Sequence, residues 1–252
     1  MSEIPVLETR GLGRRFGSLD AVSDVSFSVP KGRILGVIGP NGAGKSTFIN
    51  LVTGHIKPTS GKVFIEGKDM TGAAPWDIAR AGVARTFQIV KPFNGMTVRE
   101  NIAVGILYEP HGTNRMAVAL READEVLHTV GLAGQGERRP NELSTADVRR
   151  LEFAKALASR PRLILLDEVM AGLRPTEIGP SLDLIRELKA QGTTVIVVEH
   201  VMKAIVAVSD EVLVLAQGKV LMQGDPHEVL ADPRVIEVYL GHRYAKRQKG
   251  NS

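Results

Sequence analysis

One nine-residue segment constrains this chain more than any other. Residues 39–47 read Gly-Pro-Asn-Gly-Ala-Gly-Lys-Ser-Thr, which fits the pattern G-x-x-x-x-G-K-[ST]. The segment follows the apolar run 34–38 and precedes a helical pattern over 46–53, so it connects a buried strand to a helix. Glycines let backbone N–H groups converge on phosphate oxygens, and the helix adds its positive N-terminal end. The sequence therefore predicts a phosphate-binding loop.

Within this loop, two side chains have distinct predicted roles. Lys45 is expected to reach the β- and γ-phosphates of a nucleotide, and Ser46 to offer its hydroxyl to Mg²⁺. A chance glycine-rich turn is the alternative, and the strand before it and the helix after it argue against that alternative. The predicted nucleotide-binding residues here are Gly39, Pro40, Asn41, Gly42, Ala43, Gly44, Lys45, Ser46 and Thr47.

A second apolar run ends in two carboxylates. Residues 163–168 read Leu-Ile-Leu-Leu-Asp-Glu, a buried strand followed by Asp167 and Glu168. Asp167 is expected to bind Mg²⁺ through its water shell, and Glu168 to polarise the attacking water as a catalytic residue. Alone, such an ending is often only a strand-end turn. After a phosphate-binding loop, it predicts the second half of a nucleotide-hydrolysing site.

The hydrophobic pattern predicts an α/β fold. Residues 5–36 largely alternate apolar and polar positions, which is typical of half-buried antiparallel strands. Buried runs then alternate with helical patterns, which indicates a mostly parallel sheet. A mainly helical stretch, from about 89 to 160, is interpreted as a subdomain inserted between two core strands of a single domain, 1–252. The buried runs are 34–38, 163–166, 194–198 and 211–215, and the helical patterns lie around 46–53, 115–130, 144–159, 177–190 and 201–207.

Composition excludes several classes of protein. The chain has no cysteine, which rules out a disulfide scaffold, a thiolate zinc site and cysteine catalysis. No apolar run approaches the roughly 18 residues that span a bilayer, and the N-terminus lacks the pattern of a signal peptide. We therefore expect a cytoplasmic protein whose membrane contact goes through a partner.

The net charge of +4 comes from the C-terminal end. After Glu237 the chain carries four bases and no acid, which account for the whole excess. We therefore expect no nucleic-acid partner and interpret the tail, 242–252, as a solvated end; contact with anionic lipid headgroups is the alternative. The four bases are Arg243, Lys246, Arg247 and Lys249.

The loop and the acidic strand end resemble those of the ATP-binding subunits of ABC transporters, and the resemblance covers essentially the whole chain. It implies a P-loop NTPase fold of the ABC type, with an N-terminal antiparallel β subdomain and an inserted helical subdomain, which binds ATP and Mg²⁺. It also implies three further roles. Phe16 would stack on adenine, although an ordinary hairpin core is its alternative; Gln88 would ligate Mg²⁺ and sense the membrane partner; and His200 would contact the γ-phosphate as a catalytic residue.

Three segments narrow the resemblance to one importer subgroup. Residues 84–88, 96–101 and 238–241 are similar to those of ATPases that import branched-chain and other hydrophobic amino acids. This implies a second, different ATPase subunit, two membrane permease subunits and, indirectly, a periplasmic substrate-binding protein. It also implies a peripheral location on the inner face of the cell membrane. The lipopolysaccharide-export ATPase is a similar alternative.

The chain departs from the family at its signature motif. The family reads Leu-Ser-Gly-Gly-Gln, or Leu-Ser-Tyr-Gly-Gln in the subgroup, where residues 143–147 read Leu-Ser-Thr-Ala-Asp. Ser144 remains and is expected to face a γ-phosphate across a dimer interface. Ala146 adds a Cβ, and the Asp147 carboxylate repels a triphosphate, although Arg149 or Arg150 can offset its charge.

Two more departures follow Glu168, namely Val169 in place of Pro and Arg174 in place of Asn or Asp. Tolerated drift is one interpretation of all these changes. A pair with a different ATPase subunit is another, and a binding-only regulatory subunit with weak hydrolysis is a third. A DNA-repair ATPase would need long coiled-coil arms, and a translation factor would need two cassettes; neither occurs in this sequence.

Overall fold

Two β-sheets flanked by helices make up the described residues of the computed structural model, 4–87, 91–109 and 113–240. The strands are β1 (Leu7–Phe16), β2 (Leu19–Val29), β3 (Ile34–Ile38), β4 (Ser60–Ile65), β5 (Lys68–Asp69), β6 (Val83–Arg85), β7 (Leu163–Asp167), β8 (Thr194–Val198), β9 (Glu211–Ala216) and β10 (Lys219–Gly224). The helices are α1 (Lys45–Val52), α2 (Pro75–Arg80), α3 (Val98–Leu107), α4 (Met116–Thr129), α5 (Thr145–Leu157), α6 (Pro175–Ala190), α7 (Met202–Val208), α8 (Pro226–Ala231) and α9 (Pro233–Leu240), with a 3₁₀ turn at Pro140–Glu142.

The larger sheet has the strand order β10-β9-β3-β8-β7-β6. Its strands are parallel except for β10, which pairs antiparallel with β9. Every residue of β3, β7 and β8 is buried, because hydrophobic layers cover both faces of the sheet. The four buried runs of the sequence are therefore strands, as predicted.

The smaller sheet has the order β2-β1-β4-β5 and is antiparallel throughout. This confirms the antiparallel strands predicted near the N-terminus. Side chains alternate along β3 between two cores: Leu35 and Val37 face the core that contains the smaller sheet and α1, whereas Ile34 and Ile38 face the core that contains α3 to α7. The larger sheet is thus the middle layer of the fold.

Along the chain, β6 is followed by α3, α4 and α5 and then by β7. The strands β6 and β7 are nevertheless neighbours in the larger sheet. The five predicted helical patterns correspond to α1, α4, α5, α6 and α7. Helix α3 lies within the stretch predicted to be mainly helical, about 89–160, although no pattern was assigned to it alone. The sequence interpretation did not include α2, α8, α9, β4, β5, β6 or β10. The predicted boundary near residue 89 and the basic tail, 242–252, lie outside the described residues.

The register of the larger sheet decides where the functional residues meet. Val37 of β3 and Asp167 of β7 both pair with Val198 of β8. These three parallel strands therefore end at the same edge of the sheet. The segments that follow them, 39–44, 168–170 and 199–200, converge there. Among the described residues, no helix is long and apolar enough to cross a membrane.

Candidate functional site

The loop between β3 and α1 depends on glycine at two positions. Gly39 has a φ of 157° and Gly44 a φ of 100°, both in the region that favours glycine. A Cβ on Gly39 would lie 2.2 Å from the carbonyl oxygen of Leu215, and one on Gly44 would lie 2.4 Å from that of Ala21. The backbone therefore approaches its surroundings too closely for any side chain at either position.

Lys45 lies inside the curve of this loop. Its Nζ donates hydrogen bonds to the carbonyl oxygens of Gly39, at 2.6 Å, and of Pro40, at 3.1 Å. Burial lowers the pKa of Lys45, against the attraction of Glu168 and Asp167, which raises it. An anion placed beside the loop would therefore stabilise the ammonium and be stabilised by it.

Asp167 ends β7 as a buried carboxylate. Its Oδ2 accepts a hydrogen bond from Arg85 Nη2 at 3.1 Å, and its backbone N–H donates to Thr86 Oγ1 at 3.1 Å. Burial raises the pKa of Asp167, and the Arg85 guanidinium lowers it. Arg85 also donates to Asn50 Oδ1 at 2.6 Å, so it joins the carboxylate to helix α1. The carboxylate is thus already held by a cation.

Glu168 lies one residue further on, in a different environment. Its backbone has a φ of 52°, in the left-handed region that residues with a side chain seldom occupy. His200 Nε2 lies 2.7 Å from Glu168 Oε1. The two side chains form a hydrogen bond. The turn after β7 therefore points one carboxylate at Arg85 and the other at His200.

An open groove of about 660 Å³ lies over the loop, Glu168 and His200, and Asp167 is not among the residues that line it. Residues 41–47 line it together with Glu168 and His200, and its other lining residues are Leu19, Asp20, Ala21 and Gln217. A groove of about 690 Å³ lies elsewhere, beside Lys31, Glu66 and Arg162. Size alone therefore does not identify the site; the combination of backbone loop, buried lysine and carboxylates does.

Phe16 lies beside the groove rather than in the core. It ends β1, pairs with the lining residue Leu19, and is 44% exposed. The guanidinium carbon of Arg14 lies 4.6 Å from the centre of its ring. An exposed ring in this place fits a stacking surface better than the hairpin-core alternative. Gln88, the other residue taken from the resemblance, lies outside the described residues.

Ser144 is not among the residues that line the groove of its own chain. It caps the N-terminus of α5, where its Oγ accepts the backbone N–H of Asp147 at 3.1 Å and donates to Asp147 Oδ2 at 2.8 Å. Arg150 Nη1 lies 3.3 Å from Asp147 Oδ1, so Arg150 offsets the charge of Asp147 as the sequence suggested. The Nη1 of Arg149 is buried without a hydrogen-bond partner among the described residues.

Sequence reasoning missed two residues of this region. Arg85 lies in the segment 84–88, which served only to narrow the family resemblance. A single Arg at the end of a short strand forms no recognisable sequence pattern. Glu199 ends the run Val-Ile-Val-Val-Glu, and a carboxylate after four apolar residues was the available signal. Burial raises the pKa of Glu199, whose Oε1 accepts the backbone N–H of Met170 at 2.7 Å.

Similar proteins share both the sequence and this fold. The chain is 39% identical over 250 aligned residues to the high-affinity branched-chain amino acid transport ATP-binding protein LivG of Salmonella typhimurium, covering 94% of this chain and 98% of the relative. It is 38% identical to the corresponding protein BraF of Pseudomonas aeruginosa, with the same coverage. The solved structure of MJ1267, an ATP-binding cassette of an ABC transporter in its ADP conformation, matches with a TM-score of 0.84 and 32% identity over 94% of this chain and 99% of that one.

Two family models match the chain. The model described as ABC transporter matches residues 22–171, and the model described as branched-chain amino acid ATP-binding cassette transporter matches residues 219–245. The first model spans more than half of the chain, and the curated relatives align along nearly all of it. The chain belongs to the ABC transporter family, within which it is an ATP-binding cassette.

Proposed function

We propose that this chain is the ATP-binding and ATP-hydrolysing subunit of an ABC importer for branched-chain or other hydrophobic amino acids. One observation carries the ATPase part of the proposal: the groove beside the glycine loop holds a buried lysine on one side and the Glu168–His200 pair on the other. This arrangement offers positive groups for phosphates and a carboxylate for a water molecule in the same space.

ATP would bind along the loop. Backbone N–H groups among residues 41–47, which include the N-terminal end of α1, would contact the phosphates, and Lys45 would exchange its two carbonyl partners for β- and γ-phosphate oxygens. Phe16, exposed beside the groove, would stack on the adenine.

Mg²⁺ would be held by Ser46, Asp167 and Gln88, together with phosphate oxygens. Among the described residues, no group of three or more His, Asp or Glu side chains could hold a metal by itself, so the nucleotide would have to supply ligands. The buried Asp167 carboxylate fits a cation, since Arg85 favours its ionised form. When bound, Mg²⁺ would stabilise the negative charge of the phosphates.

Glu168 lines the groove beside His200. We propose that its carboxylate accepts a hydrogen bond from the attacking water, while His200 contacts the γ-phosphate. The hydrogen bond between the two side chains would keep both facing the groove. Ser144 would act on the ATP of a partner subunit, since it does not line its own groove.

The relatives support the proposed substrate class. LivG and BraF are named as branched-chain amino acid transport proteins, and the second family model carries the same description. We propose that this chain acts at the inner face of the membrane with a different ATPase subunit, two permease subunits and, indirectly, a periplasmic binding protein. The helical subdomain, about 89–160, would transmit the motion of the cassette to the permeases, and the tail, 242–252, would remain a solvated end.

A binding-only regulatory subunit is the second candidate function. It is favoured by the hydrogen bond from Ser144 to Asp147, which occupies the hydroxyl that would serve a partner's nucleotide. The two functions differ in turnover, because a regulatory subunit would bind ATP tightly and hydrolyse it slowly at both sites.

Uptake by the complete transporter tests the proposed function. Vesicles that contain this chain, its partner ATPase and both permeases are supplied with the binding protein and radiolabelled leucine, with ATP on the side of the cassettes. We expect ATP-dependent uptake that unlabelled isoleucine or valine inhibits and unlabelled lysine does not. Uptake of lysine instead would contradict the substrate class, and slow ATP turnover despite tight binding would favour the regulatory subunit.

A further inference from the structure

Glu199 is a buried carboxylate between the two segments that carry Glu168 and His200. It follows β8 directly and is 1% exposed. Its Oε1 accepts the backbone N–H of Met170 at 2.7 Å, and the carboxylate also accepts the backbone N–H of His200. One side chain therefore joins the turn after β7 to the end of β8.

The turn that Glu199 holds is conformationally unusual. Glu168 occupies the left-handed region at a φ of 52°, where the surrounding structure has to maintain a residue with a side chain. Its backbone N–H donates to the carbonyl oxygen of Val198 at 2.9 Å, and its own carbonyl accepts from the N–H of Ala171 at 3.2 Å. The contact from Glu199 to Met170 is a third tie, two residues beyond Glu168.

The partners of Glu199 are not those of an ordinary buried ion pair. A buried carboxylate is unfavourable unless charges or hydrogen bonds compensate it. The hydrogen bonds found for Glu199 among the described residues come from backbone N–H groups, and the charged side chains that affect it are Glu168 and His200. An apolar side chain would fill this buried place at lower cost, so the retained carboxylate points to a task at the neighbouring site.

We infer that Glu199 is a positioning residue that fastens the turn after β7 to the end of β8 and so holds the Glu168 carboxylate against the His200 ring. The inference rests on the proposed role of Glu168 as the residue that polarises water. Without the tie, Met170 loses its acceptor, the backbone of Glu168 relaxes, and the 2.7 Å contact with His200 Nε2 is lost.

The effect should fall on turnover and not on nucleotide binding. A misplacement of about 1 Å at a reacting group costs roughly a hundredfold in rate. In the assembled transporter, Glu199→Ala should therefore lower kcat for ATP about a hundredfold. KM for ATP should stay near the wild-type value, because the glycine loop and Lys45 do not depend on Glu199. Glu199→Gln keeps an oxygen for the Met170 N–H and should recover most of kcat.

Thr194 provides the matched control. It lies at the other end of β8, is 1% exposed, and its Oγ1 accepts the backbone N–H of Gly32 at 3.0 Å. Thr194→Val therefore removes one buried acceptor from the same strand, far from the site. It should lower the melting temperature while leaving kcat unchanged. Equal kcat losses in Thr194→Val and Glu199→Ala would overturn the inference.

Two further variants keep the test decisive. Glu199→Asp retains the charge but moves the carboxylate back by one methylene, so it should also lower kcat. It provides the test if Glu199→Ala does not fold. Wild-type kcat in Glu199→Asp overturns the inference. In a His200→Ala background, Glu199→Ala should cost less kcat than it does alone, because the contact that it supports is already gone. Additive losses would overturn the inference.

A parallel Glu168→Gln variant separates this inference from the proposed function. If Glu168→Gln hydrolyses ATP like the wild type, the proposed role of Glu168 is wrong, and the inference about Glu199 falls with it. If Glu168→Gln is inactive while Glu199→Ala keeps its kcat, only the role of Glu199 is wrong.

Discussion

At the scale of residues, two adjacent carboxylates differ because their neighbours differ. Asp167 is buried against the Arg85 guanidinium, and Glu168 turns away to His200. Arg85 favours the ionised form of Asp167, which can attract a metal cation, whereas Glu168 lines an open groove that water can enter. The different roles that we propose for the pair thus rest on their surroundings rather than on their residue types.

Lys45→Ala tests the phosphate site. Removing the ammonium takes away a charged donor to the phosphates, which is worth about 1.5–3 kcal/mol. ATP affinity should fall about 10- to 150-fold in equilibrium binding, with the fold intact by circular dichroism. Lys31→Ala is the control, since Lys31 pairs with Glu66 and does not line this groove. Unchanged ATP affinity in Lys45→Ala would show that the phosphates bind elsewhere.

Arg85→Met tests the effect of the Arg85 guanidinium on Asp167, a contact that the sequence analysis did not predict. Burial raises the pKa of Asp167 and Arg85 opposes it, so the variant should raise that pKa further. Asp167 has to be ionised to attract Mg²⁺; the pH below which affinity for Mg·ATP is lost should therefore move upward. Titrations of binding against pH should show this shift in Arg85→Met and not in Arg186→Met, which removes an arginine on α6. Superimposable profiles for Arg85→Met and wild type would contradict the role of Arg85.

At the scale of elements, continuous apolar runs predicted the central strands. A strand that is buried on both faces has apolar residues at successive positions instead of an alternation of apolar and polar residues. The strand β6 has three residues, too few to show a period. Helix α3 begins with a capping box, in which Thr97 accepts from Glu100 N at 3.1 Å and Glu100 accepts from Thr97 N at 2.6 Å. That signal was present in the sequence but was interpreted only as a resemblance.

The residues of the candidate site also divide into those that a local sequence pattern predicts and those that it does not. The glycine loop and Lys45 lie within a few residues of each other, so a local motif predicted them. Arg85 lies 82 residues from its partner Asp167, and Glu199 lies 29 residues from Met170. Only the register of β6, β7 and β8 brings these pairs together. Single-sequence reasoning has no local pattern from which to predict such contacts.

Substitutions at the N-terminus of α5 should change both ATP turnover and stability. Asp147 accepts the Ser144 hydroxyl and pairs with Arg150, so it stabilises the helix while occupying that hydroxyl. Ala146→Gly with Asp147→Gln should free the hydroxyl, remove a charge near the partner's nucleotide, and raise ATP turnover of the assembled transporter about tenfold. The melting temperature should fall, since Gly is unfavourable in a helix.

The single variants Ala146→Gly and Asp147→Gln show which change matters, and turnover kinetics with excess ATP provide the measurement. Asp183→Asn, on the exposed part of α6, is the control for loss of an acidic charge. No gain from the double variant in the assembled complex would indicate that the altered motif is tolerated drift.

At the scale of the whole molecule, the site is split. The loop, Lys45, Glu168 and His200 share one groove, whereas Ser144 does not line it. We propose that a second subunit brings a signature serine to this chain's nucleotide. If that subunit is a different chain with an intact signature, only one of the two sites carries the substitutions of this chain.

The isolated chain should then be nearly inactive. A homodimer would carry Ala146 and Asp147 at both sites, so both would be slow. Adding the partner ATPase should raise turnover per subunit and shift the sedimentation coefficient to that of a heterodimer at the same total concentration. Brisk hydrolysis by the isolated chain, with turnover unaffected by the partner, would contradict the asymmetric pair.

The function that we propose is ATP binding by the glycine loop and ATP hydrolysis through Glu168. Its most direct test is to measure ATP binding and single-turnover hydrolysis by Glu168→Gln in the assembled transporter. The amide keeps the size of the side chain but removes the negative charge that polarises water, so bound ATP should persist while hydrolysis slows by about 10²–10⁴-fold. Loss of ATP binding would instead identify Glu168 as a metal ligand, and hydrolysis at the wild-type rate would contradict the account.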